Sequence, residues 1–318
     1  MRREAGCSAN HNSRAAARTA AAPTAPRIGR AVVTLLLAAL VACSSGDNGG
    51  DTPAMPTAPT PPGSSSVAYT AIGASDAAGV GASVPCLPLA TDCRASTGYV
   101  GIIQRRLSES RTVTLTNLAL PGAVLSPDIQ ALGNELGRGI PGNFLTQLAP
   151  FVPPRTTLVT LFAGGNDTNT IASAIGAGRG GADPAGYLTQ QVQTFARDYG
   201  RLIDVVRDRA PSALIVVVNL PNLGALPYVA NRALAERRVV QEVAVRLTRD
   251  AINPLSGRVP VVDIMCDARS YQPGTYSADG FHPSDQGYAY LAEVMMAAIT
   301  VGAAPPPAAN CSFMSLVG

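Results

Sequence analysis

The feature that most constrains the fold is a series of five short apolar runs in the second part of the chain. They are Val67–Ile72, Val113–Leu118, Thr157–Ala163, Ala213–Asn219 and Val259–Ile264. Runs that are apolar at nearly every position are typical of strands buried on both faces of a parallel sheet. The chain is therefore expected to fold around one such sheet.

Helical periods lie between these runs. The clearest follows Asp183-Pro184, stops before Pro211 and has one apolar face, made of Leu188, Val192, Phe195, Tyr199, Leu202, Ile203 and Val206. Similar faces recur over residues 240–251 and 288–299. Strands that alternate with helices predict a three-layer α/β/α sandwich around a mostly parallel five-stranded sheet.

Residues 1–43 predict a lipoprotein signal peptide. A lead-in with six arginines and one glutamate precedes an apolar run of twelve residues, Ala31–Ala42. This length suits the core of a signal peptide and is too short to span a bilayer, which needs about 20 residues. The run ends in Leu40-Val41-Ala42-Cys43, which resembles the bacterial lipobox, where the cysteine is lipidated. A plain secretory signal cut at a small residue is the alternative.

Residues 44–66 predict a tether between the signal and the folded domain, which is expected over residues 67–318. Pro, Gly, Ser and Thr dominate the tether, so it has almost nothing to bury and is expected to be disordered or extended. A lipid anchor followed by a tether predicts a protein that is exported and held at a membrane of the bacterial cell envelope. If the plain signal is correct, the protein is secreted instead.

The charge balance argues against nucleic acid as a partner. The whole chain has 24 cationic and 21 anionic residues; residues 1–43 hold six and one of these, so the remainder has a formal net charge of −2. The chain contains no lysine, and beyond the signal its arginines are adjacent only at Arg105-Arg106 and Arg237-Arg238. A protein that binds nucleic acid would show a clustered basic excess.

The cysteines predict disulfides. Beyond the lipobox the chain has four, Cys86, Cys93, Cys266 and Cys311, and an even number in an exported chain is typical of disulfide bonding. Closeness in sequence favours Cys86 with Cys93, which leaves Cys266 to pair with Cys311. A metal site is not expected, because one histidine remains after processing and no Cys-x-x-Cys pair occurs. No cofactor is expected either.

Polar residues follow three of the predicted strands. Ser75 follows Gly73-Ala74, Gly122 follows Pro121, and Asn166 follows Gly164-Gly165. Taken singly, each of these segments is typical of a turn or a helix cap. In parallel sheets, however, ligands bind where the carboxyl ends of the strands meet, so these residues are candidates for one common site.

A fourth candidate is Asp279-Gly280-Phe281-His282. The sequence has two histidines, and His11 lies in the segment that is expected to be removed, so His282 is the one imidazole of the processed protein. Imidazole is the side chain best suited to transfer a proton near neutral pH. A carboxylate three residues away can fix its tautomer and stabilise the imidazolium. A polar turn before a helix is the alternative interpretation.

These four segments, in this order, resemble the SGNH/GDSL family of serine hydrolases over about Val67 to Ile299. The most specific matches are Gly164-x-Asn166-Asp167 and Asp279-x-x-His282-Pro283. The resemblance implies a flavodoxin-like fold, with Ser75 as nucleophile, His282 as general base and acid, and Asp279 as its orienting carboxylate. It also implies an oxyanion hole made of the Ser75 and Gly122 N–H groups and the Asn166 side-chain amide.

The first segment departs from the family pattern Gly-Asp-Ser-Leu. Ala74 stands where the family has Asp, and Asp76 stands where it has Leu. Asp76 is therefore a rival carboxylate to Asp279, and the choice of Ser75 rests on its spacing.

The expected activity is hydrolysis of small acyl, aryl or lipid esters by a membrane-anchored esterase or lipase. Residues 140–152 are strongly apolar and either line an acyl pocket or cover the sheet. Residues 168–186, rich in Gly and Ala, are interpreted as a mobile flap or an insertion without function. The alternatives are an acyltransferase with the same catalytic residues and a non-catalytic envelope lipoprotein that binds a ligand. The oligomeric state is left open.

Overall fold

A five-stranded parallel sheet forms the centre of the computed structural model, which describes residues 65–318. Its strands are β1 (Ser66–Gly73), β2 (Thr112–Ala119), β3 (Leu158–Phe162), β4 (Leu214–Val218) and β5 (Val261–Val262). The strand order is β2-β1-β3-β4-β5, and every neighbouring pair is parallel. This is the flavodoxin-like order that the sequence predicts.

Seven α-helices lie between and after the strands in residues 65–318. They are α1 (Tyr99–Ser108), α2 (Pro127–Glu135), α3 (Phe144–Gln147), α4 (Gly165–Gly176), α5 (Pro184–Arg209), α6 (Leu234–Arg246) and α7 (Asp285–Val301). Helix α1 packs against α7 near β1, β2, β4 and β5, while α4 packs against α2, α5 and α6. The predicted three-layer α/β/α sandwich is therefore confirmed.

The strands are buried because both faces of the sheet are covered. Every residue of β3 and β4 is buried, as expected for runs that are apolar except for Thr160. Helix α5 presents to this core the apolar face that the sequence predicts, and Phe195, Tyr199, Leu202 and Val206 are fully buried. Helix α5 begins and ends where the sequence predicts. The Asp183 side chain caps its start by accepting a hydrogen bond from the Gly186 amide, and the helix ends at Arg209, before Pro211.

The structure decides between the interpretations of two segments. Residues 140–152 do not line the cavity beside the site; Phe144, Ala149 and Val152 are buried in the core, and α3 packs against α5. Residues 168–176, interpreted as part of a mobile flap or of an insertion without function, belong to helix α4. Helix α4 was missed because its first residues, Gly165-Asn166-Asp167-Thr168, have low helix propensity, and packing against α2, α5 and α6 decides their conformation.

Both predicted disulfides are present. Cys86 pairs with Cys93, and Cys266 pairs with Cys311. The first closes a short loop after Ser75, and the second ties the segment after β5 to the C-terminal residues. Disulfides of this kind persist in oxidising compartments and indicate an exported protein.

The predicted signal peptide, the lipobox Cys43 and residues 44–64 of the predicted tether lie outside the described residues. From residue 65 onward, no helix has both the length and the apolar character that crossing a bilayer requires.

Candidate active site

The four candidate segments meet at the carboxyl edge of the sheet. Ser75 lies two residues beyond the end of β1, and Gly122 lies three residues beyond the end of β2. Asn166 is in the first turn of α4, which follows β3, and His282 lies just before α7. Because the strands are parallel and in register, with Gly73 paired to both Ala119 and Phe162, their ends bring these segments together.

Ser75, His282 and Asp279 form a continuous hydrogen-bonded row. The Nε2 atom of His282 lies 2.7 Å from the Ser75 hydroxyl oxygen, and Nδ1 lies 2.5 Å from Oδ2 of Asp279. Ser75 is buried, whereas the Asp279 side chain is half exposed. The two ring nitrogens thus face one hydroxyl and one carboxylate, which is the arrangement that general-base activation of a serine requires.

Asp279 also holds the backbone of its own turn. Its Oδ1 atom accepts hydrogen bonds from the amides of Phe281 and His282, at 2.8 and 2.9 Å, and from the Ser277 hydroxyl at 3.0 Å. Partial burial raises the pKa of Asp279, but the hydrogen bonds from His282, Phe281 and Ser277 outweigh it and lower the pKa to about 2. The carboxylate is therefore ionised at any pH near neutrality.

The rival carboxylate, Asp76, has a different environment. No hydrogen bond joins it to His282 anywhere in residues 65–318, and its side chain lines a cavity next to the site. Burial raises the pKa of Asp76, and the nearby His282 lowers it only in part. The geometry therefore favours Asp279 as the partner of the imidazole.

Gly122 and Asn166 belong to two segments that are tied to each other. The Asn166 Nδ2 atom donates to the Ala123 carbonyl at 2.9 Å, which leaves its second N–H free to point elsewhere. Gly122 has a φ of +84°, a conformation that side chains rarely adopt, and an added Cβ would lie 3.2 Å from Pro141. A glycine at this position lets the backbone N–H approach a ligand closely.

Asp167 is a residue of this site whose role the sequence did not reveal. It is fully buried, and its Oδ1 atom accepts from the Leu125 amide at 2.8 Å, which joins α4 to the segment that carries Gly122. Its other oxygen has no hydrogen-bond partner within the described residues. Burial raises the pKa of Asp167 to about 7, an effect that the hydrogen bond from Leu125 only partly offsets. Its position directly after Asn166 was the one feature of the sequence that indicated a place at this site.

A mostly apolar cavity lies beside the hydrogen-bonded row of Ser75, His282 and Asp279. Ala74 and Asp76, on either side of Ser75, form part of its wall together with Asn166. The rest comes from the ends of β3 and β4 and from α7, including Phe162, Leu220, Leu223, Phe281 and Leu291. Its volume is about 50 Å³. Cavities with a mostly apolar lining and a few polar groups bind small organic groups.

In the described residues, no group of three or more His, Cys, Asp and Glu side chains is arranged to hold a metal ion.

The flavodoxin-like order and this edge site define a class, the SGNH hydrolase type of α/β fold. The sequence model of the GDSL-like Lipase/Acylhydrolase family matches residues 71–290, well over half of the chain. The chain belongs to this family and is a carboxylic-ester hydrolase. No curated protein matches the sequence.

Solved structures that resemble the chain include three lipolytic enzymes. The lipase Lip_vut3 from a goat rumen metagenome is 20% identical with a TM-score of 0.49, covering 73% of this chain and 97% of its own. An extracellular lipase from Streptomyces rimosus is 18% identical with a TM-score of 0.46, covering 73% and 99%. Phospholipase A1 from Streptomyces albidoflavus NA297 is 23% identical with a TM-score of 0.43, covering 73% and 98%.

The raised pKa of Asp167 predicts a pH-dependent effect of Asp167→Asn on stability. The folded protein holds this proton more tightly than the unfolded chain, because a pKa of about 7 exceeds the ordinary 3.8. The wild type should therefore lose stability as pH rises from about 4 to about 7. Asparagine keeps the acceptor for the Leu125 amide and cannot ionise, so the variant should gain about 2–4 kcal/mol relative to wild type between pH 4 and pH 8. Urea unfolding at both pH values measures this, and an equal difference at both would contradict it.

The two carboxylates beside His282 should respond differently to removal. Asp279→Asn should lower kcat for ester hydrolysis by about 10²-fold or more, because the amide can impose the wrong tautomer on the ring. Asp76→Asn should leave kcat within about tenfold of wild type, since no hydrogen bond joins Asp76 to the imidazole in residues 65–318. Steady-state rates on a soluble aryl ester compare the variants. A larger loss for Asp76→Asn than for Asp279→Asn would exchange their roles.

Proposed function

We propose that this chain hydrolyses carboxylic esters through an acyl-enzyme intermediate on Ser75. The observation that carries the proposal is the 2.7 Å contact between His282 Nε2 and the Ser75 hydroxyl, with Asp279 on the opposite ring nitrogen. A serine hydroxyl is a weak nucleophile until a base accepts its proton. Family membership indicates the reaction class, and this contact places a base where it can accept the proton of the Ser75 hydroxyl.

In the proposed first half-reaction, His282 accepts the proton of the Ser75 hydroxyl while the oxygen attacks the ester carbonyl carbon. The ionised Asp279 stabilises the resulting imidazolium. When the tetrahedral intermediate collapses, His282 gives its proton to the leaving alkoxide, and the acyl group stays on Ser75. In the second half-reaction water takes the place of the alcohol, with the same proton transfers, and releases the acid.

The charge that develops on the carbonyl oxygen needs hydrogen-bond donors. We assign this role to the backbone N–H groups of Ser75 and Gly122 and to the Asn166 side-chain amide. The hydrogen bonds of Asn166 to Ala123 and of Asp167 to Leu125 hold these donors in place before the substrate binds. Donors that are fixed in advance do not have to reorganise in the transition state.

The cavity supports small acyl, aryl or lipid esters as substrates. Its wall is formed largely by Leu, Phe and Ala side chains, and it begins at residues next to Ser75. An acyl or aryl group there would remove apolar surface from water, which is worth about 25 cal/mol per Å².

We further propose that the protein is exported and anchored by a lipid on Cys43. The lipobox-like Leu40-Val41-Ala42-Cys43 and the two disulfides support this localisation. Residues 44–66 would then place the hydrolase domain, residues 67–318, near the membrane surface.

Removal of the proposed nucleophile or oxyanion donor should affect turnover by different amounts. Ser75→Ala and His282→Ala should each lower kcat by several orders of magnitude, because the catalytic residues act as a unit. Asn166→Ala should lower kcat by about 10²–10³-fold with little change in KM, since its donor acts mainly in the transition state. Rates on soluble aryl esters provide the measurement.

Ser173→Ala serves as the control for these variants. It removes the same hydroxyl group as Ser75→Ala, but from a partly exposed position in α4. It should keep wild-type rates, and circular dichroism should show that every variant is folded. Full activity in a folded Ser75→Ala protein would refute the assignment.

The anchor can be tested separately from catalysis. Cys43→Ala should release the protein from the membrane fraction and abolish labelling by radioactive fatty acid, because the thiol that carries the lipid is absent. Fractionation and metabolic labelling of cells that produce both forms compare them. A wild-type protein that is exported without a lipid would exclude the anchor and favour the plain secretory signal.

A further inference from the structure

The segment that follows the nucleophile exposes apolar side chains beside the active site. We call Val80–Ala90 the apolar loop. Half of the large apolar side chains that are exposed in residues 65–318 lie in it, namely Val80, Val84, Leu87 and Leu89. Leu87 is 65% exposed and Leu89 is 76% exposed. A cluster of this kind is unfavourable in water and marks an interaction surface.

The apolar loop is held in this exposed shape. The disulfide between Cys86 and Cys93 closes its far end, and both sulfur-bearing residues are buried. Asn117, near the end of β2, holds the loop by its side chain and by its backbone. Its Nδ2 atom donates to the backbone carbonyls of Cys86 and Leu87, and its backbone carbonyl accepts from the Leu89 amide. The leucines therefore cannot turn inward without loss of these bonds.

Leu89 has an unusual backbone conformation. Its φ is +63°, and it is the one residue other than glycine with a positive φ in the described part of the chain. A leucine pays for this left-handed conformation because its Cβ crowds the following carbonyl. Here the side chain gains no burial in return within the protein, so the conformation serves to present Leu89 outward.

The backbone of the loop suits an apolar environment. Pro85 and Pro88 have no N–H group, and the amides of Val84, Cys86, Leu89 and Ala90 donate hydrogen bonds within the protein. From residue 84 to residue 90, the Leu87 amide is thus the one backbone donor without a hydrogen bond to residues 65–318. In lipid an unsatisfied backbone donor is costly, so a loop with few such donors enters the acyl region more readily. A protein partner would instead use free polar groups, at about one hydrogen bond per 100–200 Å².

The charge of the loop selects the type of lipid surface. Residues 80–91 contain no charged side chain. Asp92 and Arg94, which follow, form an ion pair with each other at 2.6 Å. An anionic membrane attracts clusters of basic residues, and residues 80–91 contain none, so a zwitterionic surface is the better match for the loop.

The apolar loop also touches the catalytic residues. A Cβ added to Gly81 would lie 3.0 Å from the Cβ of His282 and 2.5 Å from the Pro283 carbonyl oxygen. The Val80 amide donates to the Ser75 carbonyl at 3.0 Å. A surface that rests on this loop would therefore be placed next to the nucleophile.

We propose that the apolar loop docks the protein on a zwitterionic phospholipid surface, with Leu87 and Leu89 among the acyl chains and Ser75 facing esters at that surface. Docking itself does not depend on the proposed catalytic function, whereas delivery of the ester does. Cys43 precedes Ser65 by 22 residues. Such a length of chain reaches at most about 75 Å. The proposed anchor therefore leaves the loop free to reach the same membrane.

The absence of tryptophan from the chain allows a direct test. Leu87→Trp in the full chain introduces one Trp at the tip of the loop, and its fluorescence is measured with phosphatidylcholine vesicles that carry brominated acyl chains. Emission should shift to the blue and be strongly quenched. Phe151→Trp is the matched control: Phe151 is 68% exposed and precedes β3, away from the carboxyl edge, so its Trp should stay unquenched.

An unquenched Trp at position 87, or equal quenching at position 151, would overturn the docking proposal. So would a blue shift that depends on protein concentration without vesicles, because a second copy of the chain would then cover the loop. Ser75→Ala in the Leu87→Trp protein should keep the quenching, which separates a failure of docking from a failure of the proposed catalysis.

A second variant measures the consequence for turnover. Leu87→Ser with Leu89→Asn removes the apolar side chains, and asparagine tolerates the left-handed backbone at position 89. Hydrolysis of an ester embedded in phosphatidylcholine vesicles should fall about tenfold or more, and hydrolysis of a soluble short-chain ester should be unchanged. Phe151→Ser with Val301→Ser should alter neither rate. Equal rates on vesicles for the loop variant and its parent would contradict the proposal.

Discussion

Parallel pairing of β1 with both β2 and β3 is the constraint on which the rest of this structure depends. Gly73 at the end of β1 pairs with Ala119 of β2 and Phe162 of β3, so the three strands end side by side at one edge of the sheet. The segments with Ser75, Gly122 and Asn166 are then neighbours, although more than 90 residues separate the first from the last. Burial of both sheet faces fixes this register, because a slip by one residue would exchange the side chains on the two faces.

Three aspartates near the site show how environment sets the role of a carboxylate. Asp279 accepts several hydrogen bonds, which outweigh its partial burial, and its pKa falls to about 2. Asp167 is fully buried with one accepted hydrogen bond from Leu125, and its pKa rises to about 7. Asp76 faces the cavity, and burial raises its pKa. The same functional group thus orients an imidazole, joins two segments of backbone or contributes to a cavity wall, according to the donors around it.

The apolar surface near Ser75 is divided between the inside and the outside of the molecule. The cavity beside the site is lined mostly by apolar residues, many of them from the ends of β3 and β4 and from the residues around α7. The apolar loop lies on the outside, held by the Cys86–Cys93 disulfide and by Asn117. Both begin within a few residues of Ser75. The polar row of Ser75, His282 and Asp279 thus lies between two apolar surfaces.

The sequence by itself determined the sheet, the long helices and the disulfide pairs, and it named the segments that carry Ser75, Asp279 and His282 as candidates for one site. These features depend on local apolar patterns and on short motifs, such as Asp279-x-x-His282, whose meaning is contained in a few adjacent residues. Tertiary structure decided the rest. Helix α4 forms despite weak local propensity because its neighbours pack against it. Phe144 of the segment 140–152 is buried in the core because α3 packs against α5, and Asp279 binds His282 because the loop before α7 faces Ser75. Burial, cavity walls and the exposure of Leu87 and Leu89 depend on contacts between distant residues, which no local pattern encodes.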